Sequence, residues 1–398
     1  MSQVILDISR LISRIRYSTP SGVDRVEMAY ARGLLAHYGD DLAFAALHPA
    51  GLYGRVRRAP ALAYLDTLER RWSSQVDGPM RRSLPSILPQ LDALLPTRRG
   101  IGSGGVYVQA SPHHLTRADA VRRIMRRERA RFLCLVHDLI PIEFPEYARP
   151  AGAALHQQRI ETVATMIGET GGGAIVNSAA TGRSLQPWLR AGTPIHVALL
   201  GTEALPEADP ERGDGRPYFV CLGTIEPRKN HLLLLHLWRQ LAQTLPAAEV
   251  PRLVVIGRRG WENEQVVDML ERCPALTGHV EELGGCPDRR LSALLRGAAA
   301  LVMPSFAEGY GMPVAEALSV GTPVICSDLS ALREVGGAVP DYLDPLDGPG
   351  WRHAVLDHAA GGPMRAAQMR RLPHWHNPTW TEHIAIVANA VEQLEGGA

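Results

Sequence analysis

Lys229 is the only lysine in a chain whose other forty-one basic residues are arginine. It stands in Gly223-Thr224-Ile225-Glu226-Pro227-Arg228-Lys229-Asn230, directly beyond the apolar run Tyr218–Leu222. So wide a preference for guanidinium reflects a background bias. One retained ammonium, beside an arginine at the end of a strand, suits chemistry that needs a compact point charge. A doubly negative phosphate is the natural partner. A second group follows the run Ala299–Met303, in Glu308-Gly309-Tyr310-Gly311-Met312-Pro313-Val314-Ala315-Glu316. Gly309 and Gly311 let the backbone turn sharply and present successive amides, and Pro313 suits a first helical turn. This makes an anion cradle with a carboxylate on each side, although a lone Glu316 would equally cap a surface helix.

Three weaker groups lie in the first half of the chain. His137-Asp138 follows the run Leu133–Val136, which puts an imidazole at a strand end, with Asp138 orienting the ring or capping the next turn. Pro20-Ser21-Gly22-Val23-Asp24-Arg25-Val26-Glu27 leads from a basic loop into a helix, where Gly22 permits close approach to a diphosphate or an acceptor. Asp24 and Arg25 then face the acceptor side. Ser111-Pro112-His113-His114 also follows a strand, so His113 and His114 line that side or are solvated loop histidines.

The elements that must position these groups are short apolar runs, each followed by a turn and a helical pattern. They are Val4–Ile8, Leu42–Leu47, Val106–Ala110, Phe132–Val136, Ala174–Val176 and His196–Leu200, then Tyr218–Leu222, Leu253–Ile256, Val280–Leu283, Ala299–Met303 and Pro323–Cys326. Continuous Val/Ile/Leu strands alternating with helices predict parallel sheets covered on both faces, an α/β fold of two doubly wound, Rossmann-like domains. Length agrees: 398 residues are too many for one ordinary core. Gly201–Pro217, rich in Pro, Gly, Asp and Glu, reads as the linker. The expected division is an acceptor-binding domain over 1–205, a nucleotide-binding domain over 206–375 and a last helix over 376–398 packing back toward the first. In such sheets ligands bind beyond the carboxyl ends of the strands, where the loop around Gly22, His137-Asp138, Gly223–Asn230, Glu308–Glu316 and Ser327-Asp328 fall.

Composition narrows the function. Hydrophobic residues make up 45% and charged residues 21%, as in a soluble globular protein, and no apolar run is long enough to span a membrane. The start, with arginines at 10, 14 and 16, lacks the apolar core of a secretion signal. Five cysteines without metal-ligand spacing read as reduced and structural in a cytoplasmic protein. The net charge of +1 conceals +8 over 1–205 (25 arginines, 17 acids) and −7 over 206–398 (17 basic residues, 24 acids). Arg117–Arg131 holds seven arginines and two acids with apolar residues at helical spacing. It has the pattern of a helix lying peripherally on an anionic inner membrane, and equally of a solvated face in an arginine-rich protein. Nucleic-acid binding fits poorly, given near neutrality and the absence of aromatics within the basic run.

The Glu-x7-Glu segment Glu308–Glu316, the Gly223–Asn230 segment and Gly321-Thr322-Pro323-Val324-Ile325 together resemble family 4 of the retaining glycosyltransferases, with the likeness concentrated between Tyr218 and Pro345. The resemblance implies the GT-B architecture, two facing Rossmann-like domains with a cleft between them. It implies that Arg228 and Lys229 hold the donor diphosphate, with Gly22, Asp138, Gly223 and Thr224 also at the donor. Glu308 would read the sugar, Glu316 the ribose, and the amides of Gly309, Tyr310, Gly311 and Met312 would border the leaving phosphate. His137 would face the sugar near its anomeric carbon. Thr224 departs from the pattern, since many members carry arginine there. The expected activity is retaining hexose transfer, from GDP-mannose as first choice, to a lipid-linked or oligosaccharide acceptor in surface polysaccharide assembly. No Asp-x-Asp metal signature occurs, so transfer without a metal or other cofactor is expected. A dinucleotide oxidoreductase fits poorly because Gly102-Ser103-Gly104-Gly105 and Gly171–Gly173 precede their strands. A nucleotide-sugar epimerase or a non-catalytic nucleotide-sugar-binding protein on the same frame stays open.

Overall fold

The computed structural model describes residues 3–17, 20–48, 51–73, 89, 91–98, 100–211 and 213–396. The chain divides into two compact units: Met1–Ile142 with Gly152–Leu200 and Thr379–Ala398, and Glu143–Ala151 with Gly201–Pro378. The boundaries fall a few residues from the expected ones. One feature was not foreseen: residues 143–151, placed by sequence inside the first domain, belong to the second unit. There Tyr147 stacks on Phe306 with ring centroids 5.6 Å apart, its carbonyl accepts from Trp261 Nε1 at 3.0 Å, and Arg149 lies over the Trp261 ring.

The first unit contains a seven-stranded sheet built from β1 (Val4–Asp7), β2 (Leu42–Leu47), β3 (Tyr53–Val56), β4 (Val106–Gln109), β5 (Arg131–Val136), β6 (Gly173–Val176) and β7 (Ile195–Val197). Its order is β3-β2-β1-β4-β5-β6-β7, parallel except for β3. The second unit has β8 (Tyr218–Leu222), β9 (Arg252–Ile256), β10 (Val280–Leu283), β11 (Ala300–Met303), β12 (Val324–Ser327) and β13 (Asp341–Leu343), in the all-parallel order β10-β9-β8-β11-β12-β13. Both orders reverse direction at one point, between β1 and β4 and between β8 and β11. There the connecting helices pass to opposite faces and leave a crevice at the strand ends.

Buried aliphatic strands drive both sheets. Ile5, Phe132, Leu133, Phe219, Leu253 and Leu301 are fully buried, and Trp238 and Trp351 fill the second core. Each indole nitrogen still finds a carbonyl, Pro251 O at 2.8 Å and Asp344 O at 3.0 Å, so burial costs neither a hydrogen bond. The helix Gly22–Tyr38 turns Val26, Tyr30, Ala31 and Leu34 inward, and the helix Trp380–Gly396 does the same with Ile384, Val387, Val391 and Leu394. The two pack together, Ile384 occupying the space left by the missing side chain of Gly33. His383 locks the contact, donating from Nδ1 to Leu199 O at 3.0 Å and accepting at Nε2 from the Tyr30 hydroxyl at 2.8 Å. All five cysteines are unpaired. No helix among the described residues is long and apolar enough to cross a membrane.

Two glycines let the loops at the second switch point approach. Gly223 ends β8 at φ +148°, and a Cβ on Gly257, beyond β9, would run into the Gly223 carbonyl. Gly257→Ala is therefore expected to lower the unfolding free energy by about 1–3 kcal/mol, the usual cost of overpacking. A denaturant titration showing no loss would mean that the two loops separate freely.

Candidate active site

In the second unit the switch point sets the loop after β8 beside the loop after β11, although 79 residues separate Lys229 from Glu308. Phe306 N donates to Arg228 O at 2.7 Å and ties the two backbones. Across that tie Lys229 Nζ meets Glu308 Oε1 at 2.5 Å and Arg228 Nη1 meets Glu308 Oε2 at 2.8 Å, while Arg228 Nε meets Glu226 Oε1 at 2.6 Å. Arg228 Nη1 also donates to Ala307 O at 2.8 Å. The Glu226, Glu308 and Lys229 side chains are only 4%, 6% and 10% exposed, so these charges interact with little screening. Burial pushes the Glu308 carboxyl upward, but Arg228 and Lys229 outweigh it and hold the group down at about 2. It is ionised throughout the physiological range.

The glycines shape this cradle. Gly223 lies against the Lys229 stem, where a Cβ would come 3.4 Å from Cε. Gly311 sits at φ +107° as the N-cap of the helix Met312–Ser319, and a Cβ there would strike Leu332. Gly309 is half-buried, Tyr310 buried and Thr224 exposed. Glu316 is half-buried inside the helix that Met312 begins. The structure therefore brings Gly223, Arg228, Lys229 and Glu308 together, with Glu226 as a member that sequence reading quoted without assigning. The sequence also assigned the cations to a phosphate and Glu308 to a sugar, whereas in the folded protein Glu308 engages both cations.

In the first unit His137 stands at the end of β5. Its Nε2 donates to Ala110 O at 3.0 Å, so the neutral ring has Nδ1 as its acceptor. Burial, the leading cause, lowers its pKa and favours that neutral form. Asp138 does not orient the ring: its Oδ1 accepts from Ile140 N at 3.1 Å and caps the next turn. Asp24 is a correction. It is buried rather than facing an acceptor, because it closes a capping box with Ser21 at the start of the helix that Gly22 begins, and its Oδ1 accepts from Arg10 Nε and Arg14 Nε, each at 2.8 Å. Arg25 is half-exposed and Gly22 exposed. His113 and His114 stand together beyond β4, ring centroids 3.9 Å apart.

Glu27 is a buried acid that the sequence showed without a role. It is 3% exposed and lies 3.7 Å from Arg10. Burial is the main force raising its pKa to about 8, with Asp7 and Asp24 adding to it and Ser111 and Arg10 opposing it. The available signal was helical spacing, since 24, 27, 31 and 34 share the face that Ala31 and Leu34 bury.

Residues 207–338 match the family described as Glycosyl transferases group 1. The matched residues lie within the second unit. O-antigen chain mannosyltransferase B of Escherichia coli is 41% identical over 132 residues, 33% of this chain and 33% of that protein. The serotype-specific mannosyltransferase WbdA of Escherichia coli is 24% identical over 249 residues, 56% of this chain and 29% of that protein. The chain thus spans about a third of the length of these relatives. The crystal structure of Anabaena Alr3699/HepE in complex with UDP aligns over 100% of both chains with a TM-score of 0.62 at 14% identity. That likeness is one of fold, two Rossmann-like units of the GT-B class.

Lys229→Ala removes one of the two cations on Glu308. Stability is expected to fall by about 1.5–3 kcal/mol, the worth of a charge-assisted hydrogen bond; a denaturant titration showing no loss would mean that Arg228 alone holds the carboxylate. Glu27 gives a pH signature. Its folded pKa lies above the unfolded value, so its contribution to stability is complete below about pH 4.5 and is lost as pH rises toward 8. Melting temperatures should show Glu27→Gln gaining on the parent protein between pH 5 and pH 8.5.

Proposed function

We propose that the protein is a retaining glycosyltransferase that moves a hexose, mannose from GDP-mannose as first choice, to a hydroxyl of a lipid-linked or oligosaccharide acceptor in bacterial surface polysaccharide assembly. The observation that carries the reading is the convergence of Arg228, Lys229 and Glu308 on one glycine-shaped cradle at the second switch point. The group 1 match over that unit and the likeness to O-antigen mannosyltransferase B support it.

Breaking the bond between a sugar and a nucleoside diphosphate builds negative charge on the departing oxygen, and fixed cations lower the energy of that charge without reorganisation. In this reading Arg228 and Lys229 turn from Glu308 to the diphosphate, and the amides at Gly309–Met312 border the same phosphate. Glu308, released from its partners, accepts hydrogen bonds from sugar hydroxyls, and Glu316 accepts from the ribose. His137 presents Nδ1 to a substrate hydroxyl. Retention follows from attack on the face the phosphate leaves, with the phosphate oxygen taking the acceptor proton. The cations supply the charge neutralisation that a metal gives other transferases, so we propose transfer without one. The first unit is assigned to the acceptor and the second to the donor, in a cytoplasmic protein.

A panel of GDP-mannose, UDP-glucose and UDP-N-acetylglucosamine, each incubated with mannosyl acceptors, tests the reading by nucleotide release and product NMR. The expected result is GDP release with an α-linked mannose added, at a rate unchanged by EDTA. A product of inverted configuration, or an epimerised free nucleotide sugar, would overturn it.

A further inference from the structure

A cavity of about 810 Å³ opens in the first unit at the carboxyl ends of β1, β2 and β4. We propose that it binds the phosphate or diphosphate of an anionic acceptor. The assignment rests on the transferase reading for the identity of the ligand as acceptor, and on the cavity itself for the anion.

Three features select an anion. First, His48, His113, His114, Arg117, Arg123 and Arg127 line the cavity. The three arginines are exposed, and among the described residues no carboxylate pairs with any of them. The one acid in the lining, Asp119, is paired with Arg122 at 3.2 Å. Arg123 Nε donates to the Asp119 carbonyl at 3.1 Å, and guanidinium groups without a carboxylate partner on one concave wall match phosphate oxygens, which accept forked hydrogen bonds from that group. Second, Nε2 of His114 is shielded from solvent without a hydrogen-bond partner, on a residue held at φ +63°. A non-glycine residue in that region costs energy, and the orphaned nitrogen would be satisfied by a ligand oxygen. Third, burial, His114, Arg10, Arg14 and Arg117 together press His113 down to about 3. Burial is the leading cause of that shift, and the arginines beside the ring act in the same direction.

The cavity is also well placed. The loop that carries His113 and His114 contains Ala110, whose carbonyl holds His137, so the anion site and the proposed sugar-facing histidine share one short backbone segment. The volume exceeds that of a diphosphate and lies within the range of small-ligand pockets, leaving room for an attached sugar.

The arginine-rich stretch thereby acquires a specific face. The helix Ala118–Glu128 buries Val121, Ile124 and Met125, and Arg123 and Arg127 project into the cavity wall.

The test compares a mannosyl oligosaccharide with a free reducing end, the same oligosaccharide as a 1-phosphate, and the same as a short-alkyl diphosphate. The parent protein should show a KM at least tenfold lower for the phosphorylated forms, and the triple substitution Arg117→Gln, Arg123→Gln, Arg127→Gln should bring the ratio near one. Preference for both the 1-phosphate and the alkyl diphosphate assigns recognition to phosphate; preference for the alkyl form alone assigns it to the lipid and overturns the proposal, as does a triple variant that keeps the parent ratio. Calorimetry with the alkyl diphosphate alone separates this site from the transferase reading. Binding lost in the triple variant, without transfer by the parent to any acceptor, keeps the anion site and sinks the transferase. Equal binding by parent and variant sinks the anion site.

Discussion

Two cations and two carboxylates occupy a space in the second unit from which water is largely excluded. Ions so placed are tolerated only when each is paired, because desolvation costs several kcal/mol per charge. The pairing of Arg228 and Lys229 with Glu308, and of Arg228 with Glu226, meets that condition. It also dictates the architecture around it. The loops after β8 and β11 must be neighbours, which only the strand order at the switch point provides, and Gly223, Gly257 and Gly311 must lack side chains where backbones or helices meet. The arrangement is balanced. An anion entering the cradle competes with Glu308 for the same two cations, so ligand binding and the release of a carboxylate are parts of one exchange.

The first unit solves a related problem differently. Asp24 is stabilised by two arginines and a helix cap, whereas Glu27, one helical turn on, keeps a proton because burial outweighs its single nearby cation. Acids on the same helical face are therefore pushed in opposite directions, Asp24 toward the ionised form and Glu27 toward the neutral one. The difference is local: Oδ1 of Asp24 accepts two guanidinium hydrogen bonds, while Oε2 of Glu27 has no hydrogen-bond partner.

Sequence reading recovered what is determined locally. Continuous apolar runs located most strands of both sheets, since a parallel strand covered on both faces must be apolar along its length. β3 and β13 escaped it. β3 contains Gly54 and Arg55, and Arg55 is acceptable in a strand only because Glu128, 73 residues away, neutralises it at 2.8 Å. β13 is three residues long and half-buried. The Glu308–Glu316 segment and Lys229 declared themselves by residue type, but their mutual contact depends on a strand order that no local pattern states. Asp24 was misplaced because its capping box, readable as Ser21-x-x-Asp24, carried less weight than its proximity to Gly22. The membership of residues 143–151 had no local sign, because it depends on Phe306 and Trp261, far along the chain.

That membership and the return of residues 379–398 mean that the polypeptide passes between the units at 142/143, 151/152, 200/201 and 378/379. Neither unit corresponds to an uninterrupted stretch of the gene. As the chain emerges from the ribosome, the second unit has all of its residues before the first does. The first must wait for the helix Trp380–Gly396, with the groove beside Tyr30 and Gly33 still bare. Vectorial synthesis therefore completes the later-encoded unit first, and the amino-terminal sheet is the part left in need of protection until residues 379–396 have emerged.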